Sequence, residues 1–295
     1  MLRKTKVLID NFYHRAALAG IKNYIEELNW SIKDYGSKNI SYLFTHDLKQ
    51  NNNYIFKNSN FRLLRLFFHL LYFVHKQFLL PIKILILKPD YLICPDYISP
   101  FISFETKKIV VLHDSLFWNY PINYNFLWRK YFIKMIKIGI DNNTKIVTTS
   151  NYSKKNLNLI FDNNVTITTI YQSCSFVLGN DGIFEFDNYI LHVGSFEKRK
   201  DLMTLIKAFY LLKKTDLKLI LVGSKIFNGD ESVFKEIKLF IKKNKLHNKI
   251  IMPGYVSKER LNSLYRNASL YVFPSIDEGF GIPILEAFFH KIPII

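Results

Sequence analysis

Two doubly wound α/β domains are predicted by three features: short β-branched runs that alternate with helix-like periods, a glycine or turn closing many of those runs, and one aperiodic stretch that separates two such series. At 295 residues and 49% hydrophobic content the chain can fill two cores.

The first series offers strands at "KVLID" (Lys6–Asp10), "ISYLFT" (Ile40–Thr45), "YLIC" (Tyr91–Cys94), "KIVVLH" (Lys108–His113), "KIVTT" (Lys145–Thr149) and "VTITTI" (Val165–Ile170). Most are continuous apolar runs, as strands buried on both faces require. Helical patterns lie between them, so residues 1–172 read as a parallel sheet covered by helices. Residues 173–188, "SCSFVLGNDGIFEFDN", hold two glycines and no sustained period and read as a linker. From residue 189 the alternation restarts: "YILHVG" and "LKLILVG" end in glycine, and "KIIMPG" and "LYVFPS" end at turns. Between the last two, Ser257 is placed to cap a helix that carries Leu261, Leu264, Tyr265 and Ala268 on one face. In such sheets ligands bind at the carboxyl ends of the strands, where these glycines lie.

Composition narrows the setting. Cys94 and Cys174 lie far apart with no partner at metal or redox spacing, so neither a disulfide framework nor a zinc site is suggested, which fits a reducing cytosol. "MLRKTKVLIDNF" has only Val7-Leu8-Ile9 before Asp10, a strand and not a signal-peptide core, so a cytoplasmic location is expected. The net charge is +17, and residues 1–180 hold 23 Lys/Arg against 11 Asp/Glu while the remainder holds 18 against 13. That imbalance suggests a polyanionic partner, either nucleic acid or an anionic membrane, and an Asn-, Ile- and Lys-rich composition accounts for it equally well. No RNP-like, zinc-finger or helix-turn-helix pattern supports nucleic acid. The stretch Phe61–Lys88 places Arg62, Arg65, His69 and Lys76 on one side of a helix and leaves a broad apolar face. Charge interrupts it too often for a membrane span, and Pro81 is expected to break it. An interfacial helix with its basic residues toward lipid headgroups fits, supported by the basic "WRKYFIKMIKIGI"; packing of both against the first sheet fits as well.

The stretch "PSIDEGFGIPILEAF" carries the most chemistry. A strand Leu270–Pro274 leads through a loop to a helix starting near Pro283, where a missing amide costs nothing. Gly279 and Gly281, on either side of Phe280, let backbone amides approach an anion at a helix N-terminus. Glu286, about one turn into the helix, suits a vicinal diol such as a ribose, and Glu278 suits the hydroxyls of a second group. Together they describe a nucleotide sugar; alone, they read as an acidic loop and a dipole-complementing helix.

With seven residues between Glu278 and Glu286, "YVFPSIDEGFGIPILEAF" resembles the E-x7-E signature of retaining GT-B glycosyltransferases of family 4. Other segments follow in that family's order. "LHVGSFEKRKDLMTLIKAF" resembles its phosphate-binding strand–loop–helix, with Gly194 in the loop and an Arg199–Lys200 pair, and "GYVSKERLNSLYRNA" resembles the segment before the signature. "LAGIKNYIEEL" is similar to the N-terminal loop around Gly20, "VVLHDSLFWNYP" to a strand ending in His-Asp, and "VTTSNYSKKNL" to a V-x-x-S-x-x-S-x-x-x-L segment.

The resemblance implies a GT-B fold, two Rossmann-like domains facing a cleft, and transfer of a sugar from a nucleotide diphosphate with retention. It implies Arg199 and Lys200 as the cations on the diphosphate, Glu278 near the sugar, His113 near the donor sugar and the reacting bond, and Gly20 near the donor phosphate or the acceptor; by themselves the last two read as a structural histidine and a turn glycine. No D-x-D-like pair closes a strand, so no metal is expected. Mannose from GDP-mannose is the leading donor, and a lipid-linked or polysaccharide precursor the acceptor, reached from the inner membrane face. Two departures stand out. Ser195 stands directly after the glycine of the phosphate loop, where the usual second basic residue would be, so that Arg199 has to supply that charge, and the chain stops at "KIPII", from which an incomplete C-terminal domain and an exposed final strand are expected. The competing reading is an inactive remnant that binds membrane or nucleotide without turnover.

Overall fold

The computed structural model describes residues 3–15, 19–48, 62–161, 165–174, 186–212, 215–223 and 231–295, with the side chains of 19 and 62–65 excepted. The chain forms two compact units. One holds the residues up to Gln172 except 122–125, and the other holds those four and the residues from Ser173 onward. Most of the expected linker lies outside the described residues.

The first unit is a six-stranded parallel sheet in the order β2-β1-β3-β4-β5-β6: β1 (Thr5–Ile9), β2 (Ile40–Phe44), β3 (Tyr91–Cys94), β4 (Lys107–Val111), β5 (Thr144–Thr148) and β6 (Ile167–Thr169). Leu8, Leu92, Val110 and Ile146 are fully buried at its centre, as two-sided cover requires. The described helices are α1 (Ala19–Tyr35), α2 (Arg62–Val74), α3 (Leu80–Leu87), the short α4 (Leu116–Asn119), α5 (Phe126–Gly139) and α6 (Asn151–Asn158).

Two expectations change here. Pro81 does not break the helical stretch: a π-turn, His75–Leu79, joins α2 to α3 and places Pro81 in the first turn of α3, where it needs no amide partner. Nor does Lys76 face outward. The π-turn directs it into the unit, where it is fully buried. The exposed face of this helical run is apolar, with Leu66, Phe67, Leu70, Phe78, Ile82 and Ile86 each more than half exposed. Gly20, expected in a loop, is the second residue of α1.

The second unit is a four-stranded parallel sheet ordered β10-β7-β8-β9: β7 (Tyr189–Val193), β8 (Lys218–Val222), β9 (Ile250–Gly254) and β10 (Leu270–Tyr271). Its helices are α7 (Leu202–Leu211), α8 (Ser232–Lys243), α9 (Lys258–Arg266) and α10 (Ile282–Phe289). One apolar layer gathers Leu202, Ile206, Phe209, Leu219 and Ile237; another gathers Tyr189, Leu191, Ile220, Tyr265 and Tyr271. Ser257 caps α9, its Oγ accepting from the Arg260 amide at 3.2 Å. β10 is shorter than the expected Leu270–Pro274. After Tyr271 the chain is shared between two partners: the Val272 amide donates to Leu191 O and the Phe273 amide to Ile295 O. "IPII" thereby lies parallel beside β10, with Tyr271 bridged to Ile294. Gly223 closes β8 with φ +128°, and a Cβ there would stand 1.9 Å from Gly194 O, so only glycine fits.

Candidate active site

The loop after β7 runs Gly194-Ser195-Phe196-Glu197 into a 3-10 turn, Lys198–Lys200, and then α7. Phe196 is buried in the layer beneath it, which fixes the loop on the sheet and leaves Glu197 and the cations at the strand's carboxyl end. Arg199 is held on two edges. Its Nε donates to Glu197 Oε2 at 2.9 Å and Nη2 to Glu197 Oε1 at 3.4 Å, while Nη1 donates to Asp277 O at 3.1 Å and to Glu278 Oε2 at 2.9 Å. Lys200 is buried, its ammonium donating to the same Glu278 oxygen and lying 5.3 Å from the centre of the Phe273 ring. Burial lowers the Lys200 pKa, although Glu278 opposes the shift. Ser195 donates through Oγ to Glu197. It supplies no charge, but it buttresses the carboxylate that orients Arg199.

The two expected cations therefore meet the first glutamate of the signature directly. Glu197, which sequence reasoning passed over as one acid in the run "EKRKD", completes the group. A carboxylate two residues ahead of an arginine in a tight turn is the signal that could have found it.

Beyond Glu278 the chain turns through Gly279-Phe280-Gly281. Gly281 has φ +87° and precedes α10, which starts at Ile282 with Pro283 in its first turn. Glu286 is almost entirely buried and accepts from the Tyr265 hydroxyl through Oε2 at 2.6 Å. Burial raises its pKa, and the Tyr265 hydrogen bond only partly offsets this. Tyr265, on the apolar face of α9 that the sequence predicts, has a buried ring, and its hydroxyl orients Glu286. His192, at the end of β7, was also missed. Its Nδ1 donates to Val272 O at 3.0 Å, so its buried Nε2 carries a lone pair, and a Cβ on Gly194 would stand 3.1 Å from it. Burial holds this imidazole neutral, with its pKa down at about 4.

Of the residues expected from the first domain, His113 follows β4 and Gly20 lies exposed on α1, with no atom near enough to contact an added Cβ. His113 Nε2 donates to Pro95 O at 2.8 Å, and the Tyr24 and Tyr97 rings flank it at 4.8 and 5.5 Å. Burial lowers its pKa to about 4, so it is a neutral ring of fixed tautomer. The V-x-x-S-x-x-S-x-x-x-L spacing now has a physical reading. Ser150 caps α6 by accepting from the Ser153 amide at 3.0 Å, Ser153 Oγ donates back to His113 O at 3.3 Å, and Leu157 is buried.

At the carboxyl ends of β1 to β3 lies an ion network the sequence did not reveal. Lys76 Nζ is 2.7 Å from Asp10 Oδ2 and 2.6 Å from Asp96 Oδ1, and His75 Nε2 is 2.8 Å from Asp10 Oδ1. Burial raises both carboxyls. For Asp10 the charge of Lys76 and the bond from His75 outweigh it and hold the carboxyl well below its usual range, whereas Asp96 stays raised. Asp10, His46 and His75 bring potential metal ligands within 4.8 Å of one another, but Lys76 already provides the positive charge a cation would bring.

Residues 179–295, which include every one of the second unit's site residues, match the family described as Glycosyl transferases group 1. The chain carries a group 1 glycosyltransferase domain. It is 24% identical over 202 residues to O-antigen chain mannosyltransferase B of Escherichia coli, covering 64% of this chain and 52% of that protein. It is 28% identical over 192 residues to O-antigen chain mannosyltransferase RfbU of Salmonella typhimurium, covering 64% and 51%. The chain thus spans about half the length of the curated relatives it matches. Among solved structures, sucrose-phosphate synthase from Thermosynechococcus elongatus aligns with a TM-score of 0.70 at 17% identity, covering 99% of this chain and 80% of that one. The fold of the chain, two parallel α/β units, is accordingly GT-B.

Proposed function

We propose that this protein is a retaining glycosyltransferase that uses a nucleotide-sugar donor. The observation that carries the reading is Glu278 bound to both Arg199 and Lys200 directly ahead of the Gly279–Gly281 turn and α10. Breaking an anomeric bond leaves negative charge on a diphosphate, and fixed cations and amides aimed at that charge are the largest available catalytic contribution. Arg199 and Lys200 supply the cations, the turn supplies the backbone approach, Glu286 held by Tyr265 accepts from the ribose, and Glu278 accepts from the sugar. His113, in the first unit, is a neutral ring whose Nε2 proton is committed to Pro95 O. Mannose from GDP-mannose is the donor proposed, supported by the mannosyltransferase relatives, and the acceptor is a lipid-linked or polysaccharide precursor.

The same reading places the protein on the cytoplasmic face of a membrane. By length and composition Leu66–Leu87 is one helix that could cross a bilayer. A span would have to draw Lys76 out of its pairing with Asp10 and Asp96, so the helix is read as lying in the interface with its apolar face toward lipid. On α5, Leu127, Lys130, Tyr131, Lys134, Lys137 and Ile138 share one exposed face of mixed basic and apolar character, which suits anionic headgroups. His69 of α2 lies 6.2 Å from Trp128 of α5, so the two faces belong to neighbouring elements.

The deciding experiment incubates the purified protein with GDP-mannose and with UDP- and ADP-hexoses, with and without EDTA, on an anionic lipid-linked saccharide acceptor. Transfer with retained anomeric configuration and undiminished by EDTA is expected. Dependence on added magnesium or manganese would overturn the cation assignment, and no transfer from any donor would overturn the reading itself.

A further inference from the structure

Resting on that reading, we propose that Glu278 is an exchangeable counter-ion: it occupies the diphosphate's place on Arg199 and Lys200 until a donor arrives, and is then released to bind the donor's sugar. A single oxygen, Glu278 Oε2, accepts from both Arg199 Nη1 and Lys200 Nζ, as a bridging phosphate oxygen would. The four charged groups are not equivalent. Glu197 grips the Nε and Nη2 edge of Arg199 and is itself bound by Ser195, so this edge is committed to orientation. The Nη1 edge is the one shared with Glu278 and the Asp277 carbonyl.

Exposure orders the groups in the same way. The Glu278 side chain is 24% exposed, against 12% for Glu197, 10% for Arg199 and 6% for Lys200. An anion coming from solvent therefore meets Glu278 first, and Glu278 precedes a turn built on two glycines, whereas Glu197 is locked at the start of the 3-10 turn.

The charge balance makes the exchange necessary. Two cations and two carboxylates leave the group neutral, so an incoming diphosphate gains little attraction while Glu278 remains in place. Once displaced, Glu278 becomes a carboxylate with lone pairs to satisfy. A sugar attached to the diphosphate satisfies them with its hydroxyls; a bare nucleoside diphosphate does not. Glu278 thereby favours the loaded donor over the spent nucleotide, and its return to Arg199 and Lys200 helps to expel the product.

The test is calorimetry on the full chain and on its Glu278→Gln and Glu278→Ala variants, using bare GDP, UDP and ADP and then GDP-mannose and the UDP- and ADP-hexoses. In both variants the bare diphosphate that binds best should tighten about tenfold, equivalent to losing one charge-assisted contact that the ligand must displace. The preference for the sugar nucleotide over that diphosphate should collapse toward one. If both variants bind a bare diphosphate as the unaltered protein does, or more weakly, the exchange is overturned while nucleotide binding stands. If neither the protein nor its variants bind any of these nucleotides, the exchange falls together with the donor reading.

Discussion

Glu286 is held in one orientation inside the second unit. Tyr265 fixes one carboxylate oxygen at 2.6 Å, and burial strengthens whatever the other oxygen accepts. Under the proposed donor reading, Glu286→Ala should weaken nucleotide binding by about 1–3 kcal/mol, and Tyr265→Phe by less, since it leaves the carboxylate present but less constrained. Calorimetry with the best-binding nucleotide checks both, and equal affinities across the three proteins would remove Glu286 from the site. The two buried histidines give a pH prediction. His113 and His192 keep pKa values of about 4 in the folded chain, both because burial disfavours the charged ring. The unfolded chain takes up these protons near pH 6.5, so unfolding binds protons between there and about pH 4. Their contribution to stability is complete above about pH 6.5 and falls as the pH drops toward 4, by something on the order of 2–3 kcal/mol each. Urea midpoints measured from pH 7.5 to 5 should fall, and His113→Asn or His192→Asn should flatten that slope. A slope unchanged by either substitution would exclude the histidines as its origin.

Among the elements, the helical run from Arg62 to Leu87 carries two opposed tasks: a broad apolar face outward and a buried lysine inward. The π-turn at His75–Leu79 reconciles them, because one wider turn places both His75 and Lys76 against Asp10. Lys76→Met should destabilise the first unit by about 3–5 kcal/mol, because it removes the ammonium shared by two buried carboxyls and leaves Asp10 to His75 and Asp96 to the Tyr72 hydroxyl. Chemical denaturation followed by a probe in that unit measures it. A loss below about 1 kcal/mol would mean that solvent, and not Lys76, compensates Asp10 and Asp96.

For the whole molecule, the +17 charge is weighted toward the first unit, where the exposed apolar face of the α2–α3 run and the mixed basic and apolar face of α5 are also found. The membrane proposal therefore predicts binding to vesicles rich in anionic lipid that weakens as salt is raised and is small on zwitterionic vesicles. Replacing Leu70 and Ile82 by Asp should lower the sedimented fraction severalfold without moving the thermal midpoint, since both side chains are exposed. Equal sedimentation of the altered and unaltered chains would show that this face does not meet lipid.

What the sequence determined by itself was the periodicity and the type of residue at each strand end. Continuous apolar runs fixed ten parallel strands to within a few residues, because strands covered on both faces leave few polar choices. The E-x7-E spacing and the Arg199–Lys200 pair were legible because turn glycines and charged residues stand out against apolar strands. Only the tertiary structure decided which charges meet. Arg199 and Glu278 lie 79 positions apart in the chain, and Tyr265 and Glu286 lie 21 apart; no local period encodes such pairings. Lys76 read as surface because a lysine among leucines is normally solvated, and the shortened β10 depended on backbone partners drawn from Leu191 and Ile295. Local preference set the elements, while the partner of each buried charge was set by which strand ends the parallel sheets brought together.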